Sequence, residues 1–361
     1  MNRDSVVTRQ NSSPLPLAFK AGPLALDVLQ REGLSPHTLG AVAGAAGGPK
    51  WLVLAAMDKL IFGSWLAQRK TPLPLIGSSI GSWRFAAATQ KSPVDAITTL
   101  ARLYIEQQYS DHPTITEVTE VARHIVEQLL GNNGAEATLG HDWARINIVT
   151  AHCQGATGSD ERARLVMGFS QAFLANMLSR DRLSQHLHRH VFADPRHRFT
   201  HEPFPGFDTR MQALTPNNLT DALLASGSIP FVLEKICVSG KDGYRDGGLI
   251  DYHMDLPLAD EGIVLMPHFS KRCVTGWLDK NIPWRRPSAM GRHLVICPTD
   301  EWIATLPNSK IPDRSDFKRY RNQPDQRIRD WQEVLTRSQE LADCLADRIV
   351  KNDWLDHVHP L

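Results

Sequence analysis

Cysteine is scarce and unpatterned in this sequence. Cys153, Cys237, Cys273, Cys297 and Cys344 are an odd set of five in 361 residues, and no two stand in C-x-x-C spacing. That argues against a disulfide framework and offers no zinc site. No metal is therefore expected, and reduced thiols in the cytoplasm are the simpler reading. Net charge is scarce too: 40 basic against 39 acidic residues leave +1. No global field draws the chain to nucleic acid or to an acidic membrane. The basic patches are local, at Arg196 and Arg198 and at Arg285 and Arg286. Long apolar runs are missing, and no stretch reaches the ~18 consecutive apolar residues that suggest a membrane span. Met1 to Pro14 is polar, carries Arg3, Asp4 and Arg9, and lacks the apolar run of a signal peptide. Residues 1–17 are expected to form a disordered leader. No repeat is seen at solenoid periods.

What is present fits a globular protein able to bury a large core, with 42% hydrophobic and 22% charged residues. One domain is expected over 18–361, with 300–361 a mainly helical extension. Leu24, Leu26, Val28 and Leu29 suggest a helix ending near Gly33. The apolar run Thr38–Gly44 predicts a buried strand, which opens into Gly47-Gly48-Pro49-Lys50 and then a helix over Trp51–Leu60. Leu73–Ile76 predicts a second strand, which opens into Gly77-Ser78-Ser79-Ile80-Gly81 and then a helix from Trp83 through Ala88. Strand, glycine turn and helix, twice over, predict an α/β fold with a mostly parallel sheet. Further strands are expected at Ile146–Ala151, Gly262–Met266 and His293–Cys297. Helices are expected within 93–130 (capped by Thr116), from Ala172, and over Asp325–Val350.

Gly77-x-Ser79-x-Gly81 has the form of a nucleophile elbow, a sharp strand-to-helix turn that exposes a serine hydroxyl. The helix behind it points its positive end at a developing oxyanion. Gly47 and Gly48 can offer backbone amides to the same oxygen. They equally suit an anion site at a helix start, although no Gly-Lys-Ser/Thr ending completes a phosphate loop. Asp246-Gly247-Gly248, taken alone, reads as an Asp-Gly hairpin turn. Upstream of it stands Ala225-Ser226-Gly227-Ser228-Ile229-Pro230.

In this order, the four blocks resemble the patatin-like phospholipases, serine lipid acyl hydrolases of bacterial type. The resemblance covers roughly residues 40–260, with Leu256-Pro257-Leu258 echoing the family's apolar-proline close. It implies a three-layer α/β/α sandwich and a Ser–Asp dyad, with Ser79 as nucleophile and Asp246 as base. It further implies an oxyanion hole at Gly47 and Gly48, with Lys50, Gly77, Gly81, Gly247 and Gly248 as supporting motif positions. The substrate would be a lipid acyl ester, cut in the manner of a phospholipase A or lysophospholipase, and no cofactor would be needed. Ala46 stands where the family has a glycine, and Trp51 where it has a small residue. Asp251-Tyr252-His253-Met254 replaces the usual Asn-x-Pro run.

Two rivals use the same residues differently. A Ser–His–Asp α/β-hydrolase would draw on His253 or His268. A catalytically idle lipid-binding protein would keep the fold alone. Acyl transfer to an alcohol is chemically adjacent. His186, His188 and His190 alternate, with His197 and His201 nearby, and read as a solvated basic loop at the end of a helix. Residues 194–210 read as a loop or an edge hairpin. Trp277 and Trp284, beside Lys280, Arg285 and Arg286, suit a transient contact with a membrane surface. No pattern selects an oligomeric state.

Overall fold

The computed structural model describes residues 15–197, 204, 206–240 and 243–361. Residues 1–14 of the expected leader, Arg198 of the basic patch and His201 lie outside the described residues. The leader reading is shortened by Leu17. This residue is buried and opens the first strand, because its side chain alternates inward with Phe19 and Ala21.

Among the described residues, eleven strands form one sheet. In chain order they are β1 (Leu17–Ala21), β2 (Leu39–Gly44), β3 (Leu73–Ser78), β4 (Ala144–Cys153), β5 (Leu187–Ala193), β6 (Thr209–Ala213), β7 (Ile236–Cys237), β8 (Gly243–Asp246), β9 (Ile263–Pro267), β10 (His293–Pro298) and β11 (Val358–Pro360). Their spatial order is β11-β1-β10-β9-β2-β3-β4-β5-β6, with β8 paired to β4 and to β7. The run β10-β9-β2-β3-β4 is parallel throughout. Antiparallel pairs occur at β1–β10, β4–β5, β4–β8 and β7–β8.

The central strands are buried on nearly every residue, as expected for parallel strands covered on both faces. Helices flank this sheet, an arrangement consistent with three layers. No helix among the described residues is long and apolar enough to cross a membrane.

Several elements differ from the sequence reading. The segment after Gly47 starts as a 3-10 turn, Gly48–Leu54, and becomes α-helical only over Ala55–Leu60. The helix Ile115–Leu130 is capped by Thr114, whose Oγ accepts from the Glu117 amide at 3.1 Å; Thr116 lies inside it. The helix expected from Ala172 runs from Arg162 to Leu178. His188 and His190 lie on β5, not at a helix end, because Arg189 between them is drawn into the core by a buried carboxylate. The C-terminal region is mainly helical around Pro324–Lys351, yet it returns β11 to the sheet edge beside β1.

Candidate active site

Strand β4 aligns the site. Along one of its edges Val149 pairs with Ser78 of β3, and the next residue, Thr150, pairs with Asp246 of β8. The end of β3 and the end of β8 therefore meet head to head. Two motifs separated by 167 residues become neighbours, and the Ser79 hydroxyl donates to Asp246 Oδ2 at 2.8 Å.

Ser79 sits between β3 and the helix Ile80–Ala88 with φ 54° and ψ −131°. This is left-handed backbone that a non-glycine residue rarely takes, at a cost of about 1–3 kcal/mol. The surroundings hold it there. The Ser79 amide donates to Ser226 Oγ at 2.8 Å, and Ser226 Oγ donates to the Val149 carbonyl at 2.7 Å. Ser82 Oγ lies 3.0 Å from Ser226 Oγ and donates to the Gly77 carbonyl at 3.0 Å. Gly81 lets the helix start this close to β2, since any side chain there would collide with the Gly44 backbone.

Asp246 ends β8 and starts the turn Gly247–Leu249, so its block is a strand-to-turn junction and not a hairpin tip. Its Oδ1 accepts from the Gly248 amide at 2.7 Å. Burial pushes its carboxyl above the ordinary carboxylate range, against the opposing pull of Arg314, the Ser79 hydroxyl and the Gly248 amide. The loop following it is anchored separately. Ser78 Oγ donates to the Asp251 carbonyl at 2.9 Å. The Asp251 carboxylate is gripped on both oxygens by Arg189, at 2.6 and 2.9 Å.

Gly47 and Gly48 follow the end of β2; Gly47 shares a cavity wall with Asp246, and Gly48 shares another with Ser79. Gly48 has φ 56°, which favours glycine, and it opens the 3-10 turn, so its amide has no partner within that turn. A Cβ at Gly48 would lie 3.1 Å from Arg314 Nε. Lys50 Nζ stands 5.0 Å from the Phe269 ring centroid.

Two cavities converge here. One, of about 280 Å³, is mostly apolar; Gly48, Ser79, Trp83, Tyr104, Ile125 and Leu233 are among its walls. The other, of about 290 Å³, is the more polar of the two, here called the polar cavity, and is walled by Gly47, Lys50, Asp246, Tyr252, Lys280 and Arg314. Ile229 and Arg314 line both.

Neither histidine of a triad reaches Ser79. His253 Nδ1 accepts from the Val274 amide at 2.9 Å, and His268 Nδ1 is taken up by the backbone of Ser270. The remaining ring nitrogen of each is buried without a partner among the described residues. Burial first, then neighbouring His268 and Lys50, holds His253 well below the usual imidazole value, and burial takes His268 down to about 4.

These two histidines and Cys273 bring donor atoms within 4.8 Å of one another, the one group of described residues that could hold a metal ion. The sequence expectation named no metal, and no spacing joins these positions. Burial pushes the Cys273 thiol up to about 12.

Sequence reasoning singled out Ser79, Asp246 and the glycines but gave Ser226, Tyr104 and Arg314 no part in the site. Ser226 was legible as a motif letter without a role. Arg314 lies 68 positions beyond Asp246 and outside the resembling span. Trp277 and Lys280 do reach the cavities, whereas Trp284 stands exposed beyond them. No family model matches this chain, and no curated protein matches it.

Proposed function

We propose that this chain is a lipid acyl hydrolase of the patatin-like kind, with the family's α/β/α sandwich, a cytoplasmic location, Ser79 as nucleophile and Asp246 as general base. The observation that carries the reading is the 2.8 Å hydrogen bond from the Ser79 hydroxyl to Asp246 Oδ2, made at a left-handed turn between the two cavities. The order of the four sequence blocks and the mostly parallel sheet support the family assignment.

In this mechanism Ser79 Oγ attacks the ester carbonyl carbon while its proton passes to Asp246. The negative oxygen that develops faces the Gly47 and Gly48 amides. Collapse releases the alcohol, which takes the proton from Asp246. Water then attacks the acyl-serine with Asp246 again as base, and the fatty acid leaves. The apolar cavity beside Ser79 takes the acyl chain. No step needs a metal or an organic cofactor.

A membrane surface is the proposed source of substrate. Val166, Leu174, Met177 and Leu178 lie exposed on one face of the helix Arg162–Leu178. Val166 and Leu174 line a surface groove of about 540 Å³ that ends at Trp277 and Lys280 beside the polar cavity. Aromatic and basic side chains so placed can enter a headgroup layer together.

The direct test is a panel of phospholipids, lysophospholipids and acylglycerols with the released fatty acids identified. Release that disappears in both Ser79→Ala and Asp246→Asn supports the reading. No release from any ester favours the idle binding protein, and release that survives Asp246→Asn favours a triad.

A further inference from the structure

The polar cavity has a charge that hydrolysis alone does not require. Lys50, Lys280 and Arg314 all line it, from three separate parts of the chain. None of the three makes an ion pair with a carboxylate among the described residues. Of the two acidic residues in the same wall, Asp313 is paired with Lys310 Nζ at 3.1 Å. Asp246 is bonded to the Ser79 hydroxyl and the Gly248 amide. Lys280 Nζ rests 4.0 Å from the Tyr252 ring centroid, a contact that holds the ammonium over the cavity without neutralising it.

Burying several cations together is costly unless an anion joins them. The strain registers in the lysines. Burial, with Lys50 and Arg314 pushing the same way against the weaker pull of Asp246 and Asp313, takes Lys280 down to about 7, and burial lowers Lys50 against the pull of Asp313.

Arg314 is the hinge of the arrangement. It lines both cavities, and its guanidinium stands against Gly48, which also lines the apolar one. A molecule with its ester at Ser79 and its chain among Trp83, Ile125 and Leu233 therefore has its head directed at these three cations.

We propose that the preferred substrate is an acyl ester bearing an anionic group, a phosphate or a carboxylate, close to the ester, and that Lys280 and Arg314 select it. This rests on the hydrolase reading above and adds the class of head group to it. A planar guanidinium suits two-point contact with either anion, while the lysine ammonium adds a point charge. Arg314 comes from the C-terminal region, so this selectivity would be added to the site by a part of the chain outside the four motif blocks.

The experiment compares dodecanoyl esters with three heads: glycerol phosphate, lactate and uncharged glycerol. Each is presented to the full chain below its aggregation concentration, with a chromogenic short-chain ester as reference. The ratio of kcat/KM for an anionic over the neutral ester is expected to be about 10 to 100, the size of one or two charge-assisted contacts. It should shrink with added salt and fall toward one in Lys280→Gln and in Arg314→Gln, chiefly through KM. A preference for phosphate over lactate would identify a phosphorylated lipid, and the reverse a carboxylated one; both support the anionic subsite. If the chromogenic ester is turned over but the ratio is one or less in the unmodified chain, the subsite is refuted and the hydrolase reading stands. If no ester is turned over, both fall. A ratio that survives both substitutions and high salt would place the selectivity elsewhere and overturn the assignment.

Discussion

Two buried aspartates five positions apart live under opposite conditions. Asp251 is held on both carboxylate oxygens by Arg189, with Arg180 at 3.8 Å, and all of its capacity is spent on structure. Asp246 is equally out of water, yet its partners are a hydroxyl and one amide, and burial raises its pKa. A buried carboxylate matched by a guanidinium has its hydrogen-bonding capacity taken up by the fold. One left beside a hydroxyl retains an affinity for protons, which is what a base needs. The difference teaches that burial alone does not mark a site; the missing counter-ion does.

Substituting each aspartate by asparagine separates the two roles most strongly. Asp246→Asn keeps the shape and removes the base. Ester turnover should fall by about 10³-fold or more, close to the level of Ser79→Ala. Its stability should hold, because a carboxyl whose folded pKa is raised contributes less to stability as pH rises through that pKa. Removing it at neutral pH therefore forfeits nothing. Asp251→Asn should do the reverse. It leaves Arg189 charged and buried, a loss of about 3–5 kcal/mol, readable by denaturant unfolding. Equal stability losses in the two variants would erase the distinction.

Next in size is the oxyanion loop. Gly48→Val places a branched side chain at φ 56° and against Arg314. Turnover should drop by about 10²- to 10³-fold in protein that stays folded by circular dichroism. A folded variant with normal kcat would put the oxyanion hole elsewhere.

The smallest effect is in the pH profile. The base must be ionised, so activity should fade as pH drops through a value above the ordinary carboxylate range. Stability should run the other way, rising slightly as pH drops through the same window, as far as Asp246 determines it. The acid limb should barely move with temperature, since carboxyl ionisation carries little enthalpy and imidazole ionisation carries much. A limb that shifts strongly with temperature would point to a histidine.

The same contrast explains what could be read from the sequence. Ser79 was legible because local turn chemistry writes it: glycines stand two positions to either side, and an apolar run precedes the elbow; Asp246, which alone reads as a hairpin turn, was legible only through the order of the four blocks. The strands β2, β3, β9 and β10 were legible because full burial leaves continuous apolar runs. Arg189 and His190 hid β5, because their polar side chains are buried and break the alternation that marks a strand. Val166 and Met167 hid the first half of the helix Arg162–Leu178, since apolar side chains on its exposed face blur the helical period. Thr114 was missed as a cap because Thr116 offers the same chemistry two positions later. Arg314 had no local signal at all: only the return of the chain brings it to Gly48.

The central claim is that Ser79 is a nucleophile activated by its neighbour. Its most direct test is to label the full chain with a fluorophosphonate and locate the adduct by peptide mass spectrometry. The adduct is expected on Ser79, retained in Ser78→Ala, and reduced with the loss of turnover in Asp246→Asn. An adduct on any other serine, or none in protein that is turning over an ester, would contradict the account.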